Sequence, residues 1–219
     1  APLPGGDRAV LEPWRFALAL LEKALGPGDA ERLAGEIWPT HSHLFGSILS
    51  TLDKAPVTSS CGRLFDAVAA VLGIRDVISY EGQAAMELES SARGGSRPAP
   101  FGIREQNGKI SLDWEPAVRW ILLEGLRLGA ARTSSAFHFG LAEAISDIAL
   151  EISRRTGVRE TVLSGGVWQN RRLLSLAIPL LERRGLRPLI HHALSPNDEC
   201  ISVGQAAVAS VHWGGRTTT

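Results

Sequence analysis

The segment LSGGVWQNRRLL, residues 163–174, follows a short β-branched run and leads into a stretch rich in leucine and arginine. Glycines between a strand and a helix leave backbone N–H groups open to an anion, because glycine has no Cβ to block its approach. Gly165 and Gly166 are therefore candidate nucleotide-binding residues, and Asn170 adds an amide that can bond an adenine edge. A plain glycine turn that closes a strand explains the same residues, and this alternative stays open.

The sequence around this segment alternates between strand and helix patterns. RETVLSGG indicates a strand and a turn, VWQNRRLLSLAIPLLERRG a helix, and LRPLIHH a second strand. This order predicts a βαβ unit with two parallel strands and a right-handed crossover. SPNDEC, residues 195–200, follows the second strand. Ligands collect at the carboxyl ends of parallel strands, so we expect the SGG and SPND turns to be neighbours.

Helical spacing of apolar residues organises most of the remaining chain. Residues 101–114 have the pattern of a β-hairpin. Helices are predicted over residues 8–25, 61–73, 81–93, 115–128, 133–156 and 201–213. From these patterns alone we expect a nucleotide-binding α/β protein.

Composition and charge limit the classes of protein that fit. The chain has 219 residues, 44% of them hydrophobic and 21% charged, which is enough to bury a core. Its 23 basic and 23 acidic residues cancel, so no overall field attracts nucleic acid or an anionic membrane. Cys61 and Cys200 form no CxxC pair, which argues against a disulfide framework. With no long apolar run and no export signal in view, we expect a cytoplasmic protein with neither membrane nor nucleic-acid partners.

Asp198 is the candidate metal ligand. An aspartate directly before a helix most often caps it, and this interpretation is favoured when the residue is taken alone. The alternative is an oxygen ligand for a divalent metal beside nucleotide phosphates, in which case Asn197 takes the capping role.

Three further residues are candidate nucleoside contacts. Gly62 and Asp66 are four residues apart on a predicted helix and share a face. A carboxylate there can accept both hydroxyls of a ribose, whereas a solvated helix-surface aspartate is the simpler alternative. Glu81 can contact the same nucleoside or favour the dipole of its own helix.

The histidines give little support for a metal site. His41 and His43, like His191 and His192, are expected on the surface without supporting ligands. His138 lies on an apolar helix face and is expected to be partly buried and hydrogen-bonded. Neither cysteine has a base nearby in the sequence, so no catalytic residue is assigned.

Six segments occur in an order that resembles a known family. They are LPGGDRAVLEPWR, TSSCGRLFDAVAAVLG, SYEGQAAMELE, FHFGLAEAI, LSGGVWQNRRLL and PND followed by ISVGQAA. Together they resemble the C-terminal part of the HypF-type carbamoyltransferases of nickel–iron hydrogenase maturation. That domain is similar to the enzymes that make the threonylcarbamoyl modification of tRNA.

The resemblance implies an α/β fold of the actin-like, sugar-kinase and Hsp70 ATPase superfold, which is ribonuclease H-like. The chain would form mainly the C-terminal lobe, with several added helices. Residues 1–219 would be the C-terminal portion of a carbamoyltransferase domain. Within it we expect a helical lead-in over 1–60, a nucleotide-binding lobe over 61–213 and a frayed tail over 214–219.

The resemblance also implies a function. Family members make carbamoyl-adenylate from carbamoyl phosphate and ATP, and pass the carbamoyl group to the C-terminal cysteine of the partner HypE. The implied nucleotide contacts are Gly62, Asp66, Gly165, Gly166 and Asn170. Asp198 matches a metal-binding aspartate, so the resemblance favours a ligand role over a cap. In the complete domain the metal would be divalent Fe, Zn or Mg.

Two departures from the family pattern shape the interpretation. Glu199 and Cys200 stand where the family usually has two glycines, and the paired histidines of its metal site belong to a segment before LPGGD. We therefore expect a nucleotide-binding lobe that by itself transfers little or no carbamoyl group. Its expected partners are HypE and the remaining HypF domains or an N-terminal lobe. An unpaired lobe would expose apolar surface, which favours a homo-oligomer. The alternatives are a non-enzymatic interaction module with a decayed site and, ranked last, a sugar-kinase-type phosphotransferase.

Overall fold

Helices form most of the computed structural model, which describes residues 1–95 and 97–214. The strands are β1 Gly102–Gln106, β2 Lys109–Asp113, β3 Glu160–Leu163 and β4 Arg187–Ile190. The helices are α1 Arg8–Leu11, α2 Pro13–Leu25, α3 Asp29–Ile37, α4 Phe45–Leu49, α5 Cys61–Val71, α6 Gln83–Ser91, α7 Glu115–Trp120, α8 Leu126–Leu128, α9 Ala130–Thr156, α10 Arg171–Arg183 and α11 Ile201–Gly214. The tail predicted to fray covers residues 214–219, and from residue 215 onward it lies outside the described residues.

The helix predicted over residues 8–25 is interrupted once. Glu12 leaves helical geometry with φ −121° and ψ 73°, and α2 starts at Pro13. Proline is suited to the first position of a helix, because the N–H that it lacks would have no partner there. The proline therefore begins α2 and ends α1.

One hydrophobic core joins the N-terminal helices to the later ones. Helix α2 packs against α3, α5 and α7, while α5 also packs against α6 and α9 packs against α10. Ser60 accepts a hydrogen bond from the Arg63 backbone N–H and so caps α5. The largest fully buried side chains of the core include Trp14, Leu18, Phe45, Phe65, Leu88, Phe137, Leu141 and Leu173.

The helix predicted over 115–128 contains a π-helical turn at Ile121–Gly125. The Thr133 hydroxyl donates a 2.6 Å hydrogen bond to the Gly125 carbonyl, and a Cβ at Gly125 would lie 2.8 Å from Thr133 Cγ2. This contact packs the end of the π turn against α9.

The two small sheets have the predicted topologies. β1 and β2 form an antiparallel hairpin around Asn107 and Gly108, both with positive φ, as a tight two-residue turn requires. β3 and β4 pair in parallel, with Leu163 opposite Ile190. Helix α10 connects them, so the βαβ prediction is confirmed.

Apolar surface remains open around the parallel sheet and α11. Val162 in β3 is 65% exposed, and Val208 and Val211 in α11 are 66% and 78% exposed. No helix in the described ranges is both long and apolar enough to cross a membrane.

Candidate functional site

The SGG and SPND turns lie side by side, as the βαβ order predicts. The Gly165 N–H donates a 2.7 Å hydrogen bond to the Pro196 carbonyl. Gln169 Nε2 lies 3.4 Å from Ser195 Oγ, which adds a side-chain contact between the turns. The carboxyl ends of β3 and β4 therefore carry one continuous surface.

The two glycines of this surface have different roles. Gly165 adopts φ +100° and ψ 160°, a conformation that residues with a Cβ rarely take. Gly166 is exposed and starts a 3₁₀ turn, Gly166–Gln169. A Cβ at Gly166 would meet only Asn197 Cβ, at an ordinary 3.8 Å. The backbone conformation requires glycine at 165, and space around Gly166 is open.

Asn170 lies where this turn enters α10, and it is 9% exposed. Its Oδ1 accepts a 2.8 Å hydrogen bond from the Leu173 backbone N–H, so Asn170 caps the helix. Its Nδ2 lies 3.0 Å from His138 Nε2 in α9. Two protein contacts thus fix the side chain that was predicted to bind nucleotide.

Asp66 is buried, at 2% exposure, rather than solvated on the surface of α5. Arg63 Nη2 lies 3.0 Å from its Oδ2 as an ion pair. Neither carboxylate oxygen has a well-aligned hydrogen bond from the described residues. Burial raises the pKa of Asp66, and Glu81 adds to the rise, whereas Arg63 and the Ala85 backbone N–H oppose it. A buried carboxylate with spare acceptor capacity is suited to a ligand that donates hydrogen bonds.

Gly62 and Glu81 lie on either side of this carboxylate in the sequence. A Cβ at Gly62 would meet only Ser60 Oγ, at 3.6 Å, so space beside the start of α5 is open. Glu81 is exposed and precedes α6 by two residues, with Gly82 at the N-cap. Its negative charge contributes to the raised pKa of Asp66.

These residues lie on elements that contact one another. The turn Gly166–Gln169 contacts α5, the helix that carries Gly62 and Asp66. Gln169 of this turn and the adjacent Gly165 are joined to Ser195 and Pro196 by the bonds described above. The structure brings the predicted nucleotide residues to neighbouring elements, and their ligand contacts remain a prediction.

Asp198 is exposed, and Asn197 supplies the cap at the 3₁₀ turn Asp198–Cys200. Asn197 Oδ1 accepts from the Glu199 N–H at 3.2 Å and from Ser195 Oγ at 2.6 Å. The capping interpretation of Asp198 is therefore wrong for this structure. Its carboxylate is exposed.

A divalent metal does not fit this chain alone. Among the described residues, no group of three or more His, Cys, Asp or Glu side chains is placed to hold an ion. Asp198 supplies a single oxygen-bearing group, and stable sites need several.

The cysteines and histidines differ in their surroundings. Burial raises the pKa of the Cys61 thiol to about 11, which keeps it protonated. The Cys200 thiol donates to the Ser195 carbonyl within its own turn. His43, His191 and His192 are exposed as expected.

His41 departs from the surface prediction. Its ring stacks on Trp14 at 4.5 Å between centroids, and its Nε2 lies 3.2 Å from Asp76 Oδ2. His138 is fully buried, where partial burial was predicted.

Sequence reasoning missed two partners of the site. Arg63 pairs with Asp66 at i, i+3, a spacing that predicts such pairs on a helix and could have identified it. His138 contacts Asn170 across 32 residues, and nothing in the local sequence indicates that pairing.

Comparison with known proteins identifies the family. A family model described as "Carbamoyltransferase, Kae1-like Domain, second subdomain" matches residues 1–205. Carbamoyltransferase HypF of Rhizobium leguminosarum bv. viciae is 39% identical over 210 residues, which are 95% of this chain and 27% of that protein. Carbamoyltransferase HypF of Rhodobacter capsulatus is 39% identical over 213 residues, or 96% of this chain and 27% of that protein.

A solved structure of full-length HypF in the phosphate- and nucleotide-bound form has the same fold. Its TM-score is 0.83 at 32% identity, and the match covers 100% of this chain and 29% of that one. The chain thus spans less than a third of the length of these relatives. The matches confirm the predicted α/β class, a lobe of the actin-like, ribonuclease H-like superfold. The chain belongs to the HypF family of carbamoyltransferases, as the second subdomain of their Kae1-like domain.

Proposed function

We propose that this chain is the nucleotide-binding lobe of a HypF-type carbamoyltransferase and that it holds the adenylate part of carbamoyl-adenylate. The observation that carries the proposal is the buried Asp66 carboxylate, which lacks well-aligned donors among the described residues and lies on the helix that contacts the SGG turn. The nucleotide-bound state of the full-length HypF neighbour supports it.

The proposed contacts follow from the chemistry of each group. Asp66 would accept hydrogen bonds from the ribose hydroxyls, and the Arg63 guanidinium, 3.0 Å away, favours its ionised form against the effect of burial. Gly62 leaves room for the sugar, and Glu81 would contact the same nucleoside. Asn170 would face the base or ribose from the other side of the surface. In this arrangement the exposed Gly166 and Asp198 lie toward the phosphates.

Transfer of the carbamoyl group requires more than this lobe. A cysteine thiolate of a HypE-type partner would attack the carbamoyl carbon, forming a C–S bond while the C–O bond to phosphate breaks and AMP leaves. The described residues of this chain place no metal cluster at the site, and none of them is assigned as a catalytic base. We therefore assign those groups to the remaining HypF domains or an N-terminal lobe. We expect the isolated chain to bind nucleotide without transferring a carbamoyl group.

Calorimetric titration with AMP and with ATP tests the proposal. Asp66→Asn removes the charge at constant shape, and Asn170→Ala removes the amide, so each should weaken binding by about tenfold or more. Glu31→Gln is the control, because Glu31 is exposed on α3 far from this surface in sequence. Thermal unfolding of each variant confirms that it folds.

Two results would contradict the proposal. The first is a silent titration of the unaltered chain alongside tight binding by a full-length relative. The second is equal affinity in Asp66→Asn, Asn170→Ala and Glu31→Gln. Either result favours the non-enzymatic interaction module, in which Glu199 and Cys200 replace family glycines because the site has decayed.

A further inference from the structure

His138 is a buried polar residue that the proposed function does not yet use. It lies in the middle of α9 with no exposed surface. Its two ring nitrogens have different partners, Ser134 O at 2.7 Å from Nδ1 and Asn170 Nδ2 at 3.0 Å from Nε2. The ring therefore connects α9 to the residue that opens α10.

The partners of His138 decide its tautomer. A backbone carbonyl only accepts hydrogen bonds, so the Nδ1 atom beside Ser134 O must carry the proton. Burial lowers the pKa of His138 to about 4, so the ring is neutral at pH 7. A neutral ring with a proton on Nδ1 has a lone pair on Nε2. The Nε2 atom is thus an acceptor facing Asn170.

This acceptor in turn fixes the carboxamide of Asn170. Nδ2 can donate to His138 Nε2, while Oδ1 accepts from the Leu173 N–H at 2.8 Å. A flipped amide would place two acceptors together at His138 and two donors together at Leu173. Both contacts are satisfied in one orientation only, and the unmade bonds would be buried and costly.

The imidazole is also held in place by aromatic packing. Phe65 meets it edge to face, with ring centroids 5.3 Å apart and planes at 73°. Phe65 directly precedes Asp66 in α5. Phe137 packs edge to face against both Phe65 and His138. The ring that orients Asn170 therefore contacts the helix that carries the buried carboxylate.

We infer that His138 is a positioning residue, which orients the Asn170 carboxamide so that its second N–H and second Oδ1 lone pair are presented to a bound purine nucleoside. This inference rests on the proposed function, because it specifies how one residue of that site recognises its ligand. An amide used in this way offers one donor and one acceptor in a single plane. A nucleoside edge with a neighbouring acceptor and donor is the complementary ligand.

Two substitutions separate positioning from packing. In His138→Gln, the side-chain Oε1 can reach the position of the ring Nε2 and accept from Asn170. In His138→Asn, the shorter amide can still reach Ser134 O, but it leaves Asn170 without an acceptor. Both variants lose the ring and its edge-to-face contacts with Phe65 and Phe137.

The test measures AMP binding by calorimetry at pH 7 together with the side-chain nitrogen resonances of His138 and Asn170. We expect His138→Gln to bind within about threefold of the unaltered chain, and His138→Asn to bind about tenfold more weakly or worse. In the unaltered chain, the ring should show a protonated Nδ1 and an unprotonated Nε2. The Asn170 amide signal should shift in His138→Asn and be largely restored in His138→Gln.

The outcomes distinguish this inference from the proposed function. If the unaltered chain binds AMP and the two His138 variants bind AMP with the same affinity as each other, the inference is wrong while the proposed function stands. A proton on Nε2 in the nitrogen spectrum overturns the inference whatever the affinities are. If the unaltered chain binds no nucleotide although the spectra show the expected tautomer, the proposed function fails and the ligand-presenting role fails with it.

Discussion

Protonation of His138 links the stability of the fold to pH. Its pKa is lowered to about 4 in the folded chain, against an ordinary value of about 6.5 when unfolded. Between these values the unfolded chain binds a proton that the folded chain does not. The stabilising contribution is therefore complete above pH 6.5 and is lost as the pH falls toward 4. We expect the free energy of unfolding to fall by about 2 kcal/mol from this residue between pH 7 and pH 5.

Urea unfolding of the unaltered chain and of His138→Gln at both pH values measures this contribution. The variant lacks the titrating ring. Between pH 7 and pH 5 its free energy of unfolding should therefore fall by about 2 kcal/mol less than that of the unaltered chain. Asp66 acts in the opposite direction, because its raised pKa means that the folded chain gains stability as the carboxyl becomes protonated. It is present in both proteins and cancels in the comparison. If the two proteins gave parallel pH profiles, folding would not lower the pKa of His138.

A close approach between a loop and helix α9 depends on Gly140. Ala99 N–H donates a 2.9 Å hydrogen bond to the Ala136 carbonyl, which brings the loop onto α9. A Cβ at Gly140 would lie 2.1 Å from the Ala99 carbonyl oxygen. The Cβ has a fixed position on α9 and the Ala99 carbonyl belongs to the backbone, so no side-chain rotation can relieve the contact.

We expect Gly140→Ala to lower the free energy of unfolding by about 3 kcal/mol, because the loop must move off the helix. Gly35→Ala in α3 is the matched control, since nothing lies within 4 Å of a Cβ there. It should raise the free energy of unfolding by about 0.5 to 1 kcal/mol through helix propensity. Chemical denaturation measures both. Equal effects of the two substitutions would show that the loop does not pack on α9 in solution.

The elements also show what sequence reasoning could and could not reach. The βαβ unit was predictable because strand and helix periods alternate, and the parallel order then placed the SGG and SPND turns together. The π turn at Ile121–Gly125 was not, because the apolar spacing there predicts one regular helix over 115–128. The burial of Asp66 and the pairing of His138 with Asn170 were equally hidden, since both depend on how separate helices pack. Sequence patterns therefore identified the candidate residues but not their surroundings.

Apolar surface concentrates around β3 and α11. Parallel sheets normally have both faces covered, yet Val162 is 65% exposed and Leu189 37% exposed. A groove of about 340 Å³ on this side is lined by apolar side chains that include Ile148, Ile152 and Trp168. Residues 201–212 of α11 are also exposed. Under the proposed function, the other domains of a HypF protein would cover this surface.

This arrangement predicts that α11 contributes little to the stability of the chain alone. Val208→Asp combined with Val211→Asp should change its free energy of unfolding by less than about 0.5 kcal/mol, because both side chains already face water. Leu173→Ala, in the fully buried core, should cost about 2 to 5 kcal/mol. Urea unfolding at two protein concentrations measures both variants. If the paired aspartates destabilise the chain strongly, and more so at high concentration, α11 packs between copies of the chain. The same loss at every concentration would mean instead that α11 folds back onto its own lobe.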